Sequence, residues 1–238
     1  MEYILEVINI IGIISFSAAG AMIAIDKEND WFGVIFMSLT TCFCGGIIRD
    51  VIAGQTIGRQ IPEVFYNLKM EIIVCICTAL VVFFLAMIFK EKYVKEEATV
   101  EKINNVLDAL GIGVFTVAGT SAYIEQGLGV AVFMGLLSSV GGSITRDVIL
   151  GDIPVIFRKR IYALACIGGS IVYYLFEKKI LVGRESADVV STIACIIFIF
   201  TIRMCATTFK WNMPKAIDFA KIKASQTDEA DITNEVTK

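Results

Sequence analysis

Cys44–Gly54 (CGGIIRDVIAG) and Gly141–Gly151 (GGSITRDVILG) match at seven of eleven positions when the chain is shifted by 97 residues. One span earlier, Val7–Gly20 (VINIIGIISFSAAG) and Val106–Gly119 (VLDALGIGVFTVAG) share six of fourteen at a shift of 99. Apolar helices resemble one another cheaply, but Arg-Asp-Val-Ile-x-Gly recurring after a glycine-rich stretch is not explained by hydrophobicity. The chain is therefore read as an internal repeat.

Between these stretches charges are absent over long runs and crowd into the gaps. The chain is 56% hydrophobic and 19% charged, with a mean hydropathy of +0.74, against roughly 45–50% and about 25% for soluble domains. A hydrocarbon core ~30 Å thick takes about 20 apolar residues per helix. Seven spans are predicted: Tyr3–Ile25, Trp31–Ala53, Met70–Phe89, Ile103–Ile124, Leu128–Leu150, Ile161–Phe176 and Ala187–Thr208. The fold class is an all-α integral membrane protein of seven transmembrane helices. Each repeat holds three spans, so the second half enters the bilayer from the opposite side, and the seventh helix stands outside this inverted repeat. Residues 1–90 form the first repeat, 91–102 a charged linker, 103–180 the second repeat, 181–210 the seventh helix, and 211–238 a polar tail too poor in apolar residues to order itself.

Lysine and arginine set the orientation. The N-terminal side holds five (Arg59, Lys69, Lys178, Lys179, Arg184) and the opposite side fourteen, counting Arg203 and leaving out Arg49 and Arg146 as intramembrane. The positive-inside rule places the N-terminus outside and the C-terminus in the cytoplasm. Met1-Glu2-Tyr3 lacks the basic start of a cleavable signal peptide.

The motifs carry the functional expectations. Gly45-Gly46 and Gly141-Gly142 interrupt the second and fifth spans. They read either as kinks that expose backbone to a water-filled pore or as small residues at a helix contact. Ser38, Thr40, Thr41, Ser138 and Ser139 lie about a turn before them, where hydroxyls either line the pore or bond back to their own helix. Arg49-Asp50 and Arg146-Asp147 are intramembrane charges, costly enough to need partners. Neighbouring residues diverge by about 100° around a helix, so the members of a pair are not expected to neutralise each other. By depth, Asp108 is expected against Arg146 at one mouth and Asn9 against Arg49 at the other.

Seven cysteines and no histidine remove the commonest metal ligand and general base, so no cofactor and no metal are expected. Cys42/Cys44 and Cys75/Cys77 read as packing residues rather than ligands. A net charge of −3 without a basic block gives no nucleic-acid partner. No nucleophile–base pairing suggests an enzyme, and Ala187–Thr208 has no lysine for a retinal Schiff base.

Glycines followed by Arg-Asp, in two inverted halves with a seventh helix, resemble the bacterial branch of the trimeric intracellular cation (TRIC) channel family, which overlaps the bacterial glycine transporter domain family. The likeness covers about residues 3–209. It implies homotrimers in the bacterial cell membrane, each protomer with its own pore lined by kinked second and fifth helices, conducting potassium and other monovalent cations. It equally admits uptake of glycine or another small solute. Gly45, Gly46, Gly141 and Gly142 would be the pore glycines, although the family's triple glycine reads Cys44-Gly45-Gly46 and Gly141-Gly142-Ser143 here.

Overall fold

The computed structural model describes residues 2–57, 68–158, 161–184 and 186–211. Apart from Trp211, the tail expected over 211–238 lies outside the described residues. The helices are α1 (Glu2–Asp26), α2 (Trp31–Ile57), α3 (Leu68–Ile88), α4 (Lys90–Lys95), α5 (Glu97–Ala122), α6 (Leu128–Ile149), α7 (Val155–Arg158), α8 (Ala163–Leu175) and α9 (Ala187–Thr208). Local chemistry sets several boundaries. Asp30 Oδ1 accepts the Gly33 N–H at 2.8 Å, satisfying one of the free donors at the start of α2. Gly127, at φ +94°, turns the chain into α6, a conformation that costs other residues a Cβ clash. The charged linker is itself helical: α4 covers part of it and α5 begins at Glu97, before the predicted Ile103.

Among the described residues six helices, α1, α2, α3, α5, α6 and α9, are long and apolar enough to cross a membrane. The chain is a multi-pass membrane protein. The predicted span Ile161–Phe176 is not among these six helices: α8 has 13 residues and runs into a five-residue π-turn over Phe176–Ile180. At 1.5 Å per residue α8 alone is only about 20 Å long.

Packing repeats with the sequence. α1, α2 and α3 touch one another, and so do α5, α6 and α8. Between the halves α1 meets α5 and α2 meets α6, while α9 covers α5 and α8. Both cross-half pairs run antiparallel. Gly12 faces Val114 and Gly111 faces Phe16, so numbers rise along α1 as they fall along α5. Phe16 and Phe115, equivalent under the sequence repeat, stack with centroids 5.0 Å apart.

Because lipid tails are as apolar as the side chains, these helices are held by close packing rather than by escape from water. Phe16 is 1% exposed. Phe16→Ala is therefore expected to cost about 3 kcal/mol, mostly as a cavity at the centre of the molecule. Thermal unfolding in detergent, compared with wild type, measures it.

Candidate permeation site

α2 and α6 are continuous α-helices through their glycine pairs. Of the two readings of these pairs, the helix contact has direct geometry behind it. A Cβ on Gly45 would run into the Ser138 carbonyl oxygen, and one on Gly142 into the Thr41 carbonyl oxygen. A shift of 97 exchanges these two contacts, since Gly45 corresponds to Gly142 and Thr41 to Ser138. Gly141 in turn would place a Cβ 2.9 Å from the Gly45 Cα. The glycines thus let two helices cross with their backbones in contact, and Gly46 faces a cavity beside that crossing.

Most of the hydroxyls turn to backbone. Thr40, Thr41 and Ser139 donate to Phe36 O at 2.8 Å, Met37 O at 2.7 Å and Gly135 O at 3.0 Å within their own helices. Ser38 donates to Ser17 O of α1 at 3.0 Å. Ser138 alone of the five lines the cavity, where it accepts from Arg49 Nη1 at 3.3 Å.

The Arg-Asp pairs do close on themselves, against expectation. Arg49 Nε donates to Asp50 Oδ1 at 2.7 Å, and Arg146 Nε and Nη2 donate to Asp147 Oδ1 at 2.9 and 2.7 Å. The arginine side chain is long enough to fold around the helix to the next residue, which spares each charge a distant partner in a low-dielectric interior. Asp147 also accepts the Val155 N–H at 2.9 Å with Oδ2, and so anchors the start of α7.

The two contacts expected from depth are not made. Asn9 Nδ2 donates to Glu71 Oε1 at 2.7 Å instead of meeting Arg49. Asp108 takes Arg203 Nη2 at 3.0 Å and the Tyr162 hydroxyl at 3.1 Å instead of Arg146. These replacements are themselves equivalent. Asn9 corresponds to Asp108, and Glu71 corresponds to Tyr162 at a shift of 91 that also aligns Cys75 with Cys166 and Ile76 with Ile167.

Asn9, Glu71, Arg49, Gly46 and Ser138 line one cavity of about 430 Å³. A neighbouring cavity of about 320 Å³ shares Asn9, Ala118 and Ser121 with it and adds Asp188. Among the described residues no basic side chain lies within ion-pair distance of Glu71. Among those residues its carboxylate has one amide partner, and a cavity lies in front of it.

Residues 6–87 and 105–178 match the family model described as glycine transporter. The chain belongs to this glycine transporter family. Among family relatives it is 34% identical over 172 residues to the UPF0126 membrane protein of Deinococcus radiodurans, covering 71% of this chain and 74% of that protein. The inner membrane protein YadS of Escherichia coli is 30% identical over 214 residues, 87% and 93% of the two chains. The fold is that of TRIC cation channels. One solved TRIC channel matches with a TM-score of 0.74 at 26% identity over 90% of this chain and 97% of the other. The trimeric intracellular cation channel orthologue from Rhodobacter sphaeroides matches with 0.69 at 26%, over 87% and 99%. The resemblance read from the glycine and Arg-Asp motifs is borne out.

Two features of this glycine transporter family member were not legible as site residues. Glu71 sits at the start of the third span and looks like an interfacial charge. Arg203 was counted with the cytoplasmic charges, yet it is 3% exposed and paired to Asp108. Without it the charge count on the two sides is thirteen to five. Cys42 and Cys75 meet thiol to thiol at 3.6 Å between α2 and α3. Among the described residues no group of histidine, cysteine or carboxylate side chains is arranged to hold a metal.

Proposed function

We propose that the protein is a monovalent-cation channel of the cell membrane, potassium its first permeant, with the route running from the Glu71 cavity through the α2–α6 crossing to the Asp108 cluster. The observation that carries this is the charge balance at the cavity. Arg49 is engaged by Asp50, which leaves the Glu71 carboxylate, held among the described residues by Asn9, to attract a cation. A carboxylate in a low-dielectric recess focuses its field and raises the local cation concentration. The glycine crossing closes the route, so conduction requires α2 and α6 to part by the width of a dehydrated ion.

In this reading the two halves are inverted in the bilayer, α8 with its π-turn completes the second half as a short sixth span, α9 is the seventh, and the N-terminus is outside. The two three-helix repeats, the helical linker and α9 are separate units of that architecture. Homotrimers, each protomer with its own route, follow from the likeness to a relative named as a trimeric channel.

A second reading has its own support. Arg49 and Glu71 offer groups of opposite sign in one cavity of about 430 Å³, enough for a small zwitterion such as glycine. Proteoliposomes separate the two. A channel carries rubidium tracer down its gradient without saturating at low millimolar concentration. Saturable accumulation of labelled glycine against its gradient would establish the coupled transporter instead.

A further inference from the structure

We infer that Arg203 is a built-in cation, its guanidinium occupying in the second half the position that a permeant cation takes beside Glu71 in the first. The inference rests on the cation-conducting reading above and names the group that keeps the inner site filled.

The comparison of the two halves carries it. In the first, Asn9 and Glu71 form a pair at 2.7 Å, and Glu71 has a cavity before it. In the second, Asp108 and Tyr162 form the equivalent pair at 3.1 Å. There the carboxylate has moved from the third helix of the repeat to the first. The space before it is taken by Arg203, whose guanidinium donates to Asp108 at 3.0 Å and lies 4.2 Å from the centre of the Tyr162 ring. A carboxylate oxygen and an aromatic face are ligands that hold any cation. Charges follow the same logic. The first cluster has one guanidinium, Arg49, against Asp50 and Glu71. Among the described residues the second has Arg146 and Arg203 against Asp108 and Asp147, a neutral set.

Arg203 also comes from outside the repeat. It sits on α9, which packs on α5 and α8 and has no counterpart in the first half. Nothing in the inverted architecture requires a guanidinium here, so it has been added to a site the repeat already supplies. It is held incompletely as well: among the described residues Arg203 Nε is buried without a hydrogen-bond partner, as is Arg146 Nη1. An ion pair serving stability alone needs its remaining donors satisfied to repay desolvation. A guanidinium on a tether needs only to outcompete a mobile cation, and it does so at the high effective concentration of an intramolecular ligand.

The test is chemical replacement of the side chain. Arg203→Ala leaves a guanidinium-shaped space beside Asp108. Rubidium influx into proteoliposomes is expected to rise about tenfold over wild type as the site becomes available to mobile cations. Ethylguanidinium at about 10 mM, matching the effective concentration of a loose tether, is expected to return that flux to the wild-type level. The same compound is expected to raise the Tm of the variant in detergent and to leave wild type unmoved. Should Arg203→Ala fail to fold, Arg203→Gln, whose amide keeps a hydrogen bond to Asp108, carries the same measurements. Flux at or below wild type in a folded variant, with no stabilisation by ethylguanidinium, would overturn the inference, because a purely structural arginine gives that pattern. Stabilisation by ethylguanidinium without flux in either protein would uphold the inner cation site and reject conduction.

Discussion

Gly45→Leu is expected to give no folded protein, and Gly45→Ala to cost about 2–3 kcal/mol, the range for forcing extra atoms into a packed core. The direction is the informative part. In an exposed helix, glycine to alanine gains about 1 kcal/mol through backbone entropy. At Gly45 the added methyl meets the Ser138 carbonyl oxygen and lies 3.1 Å from the Gly142 nitrogen, both backbone, so no side chain can swing aside. Helix α6 has to move as a body, carrying Arg146 and Asp147 with it. Gly129 supplies the control. It lies in the same helix, exposed, with nothing within 4 Å of where a Cβ would be, and Gly129→Ala is expected to be neutral or to stabilise by up to about 1 kcal/mol. Parallel unfolding of the two variants in detergent reads the difference. Equal behaviour would mean that the α2–α6 crossing is looser than its geometry.

The second large effect is at Glu71. Glu71→Gln keeps the shape of the side chain and its hydrogen bond from Asn9 while removing the charge. Rubidium flux is expected to fall roughly tenfold, the low end of what field focusing in a cleft contributes. Glu71→Lys, which places a fixed cation in the cavity, is expected to abolish it. The loss from Glu71→Gln should shrink as salt is raised, since an ionic strength near 1 M screens charges beyond about 3 Å. A Glu71→Gln protein that conducts like wild type at low salt would remove this carboxylate from the pathway.

Much of the fold was legible because the repeat is written in residues whose roles are steric. The match of Cys44–Gly54 with Gly141–Gly151 is the match of two backbones that must touch, and the contacts of Gly45 with Ser138 and of Gly142 with Thr41 reproduce the same shift. What the pattern left open was which of two outcomes a double glycine serves, a break or a contact. Sequence cannot decide that, because both need the missing Cβ; the neighbouring helix supplies the contact.

The site was harder to read. Adjacent residues diverge around a helix at the Cβ, but an arginine head can travel back to its neighbour, so the Arg49–Asp50 pairing escaped a rule that holds for short side chains. The Glu71–Tyr162 equivalence was hidden by stretches of unequal length, Gly54 to Pro62 against Gly151 to Pro154, which account for five of the six residues by which the shift falls from 97 to 91. Arg203 near the end of the last span looks like an interfacial charge until its contacts are known. Its partner Asp108 is buried, beside Arg203 rather than the Arg146 expected from depth.

The most direct measurement is planar-bilayer recording of the purified wild-type protein under a potassium gradient, with glycine present on one side only. The expected result is a current that reverses near the potassium equilibrium potential and is indifferent to glycine. A bilayer that stays silent at every potassium gradient, while the same preparation accumulates glycine in vesicles, would contradict a cation route past Glu71.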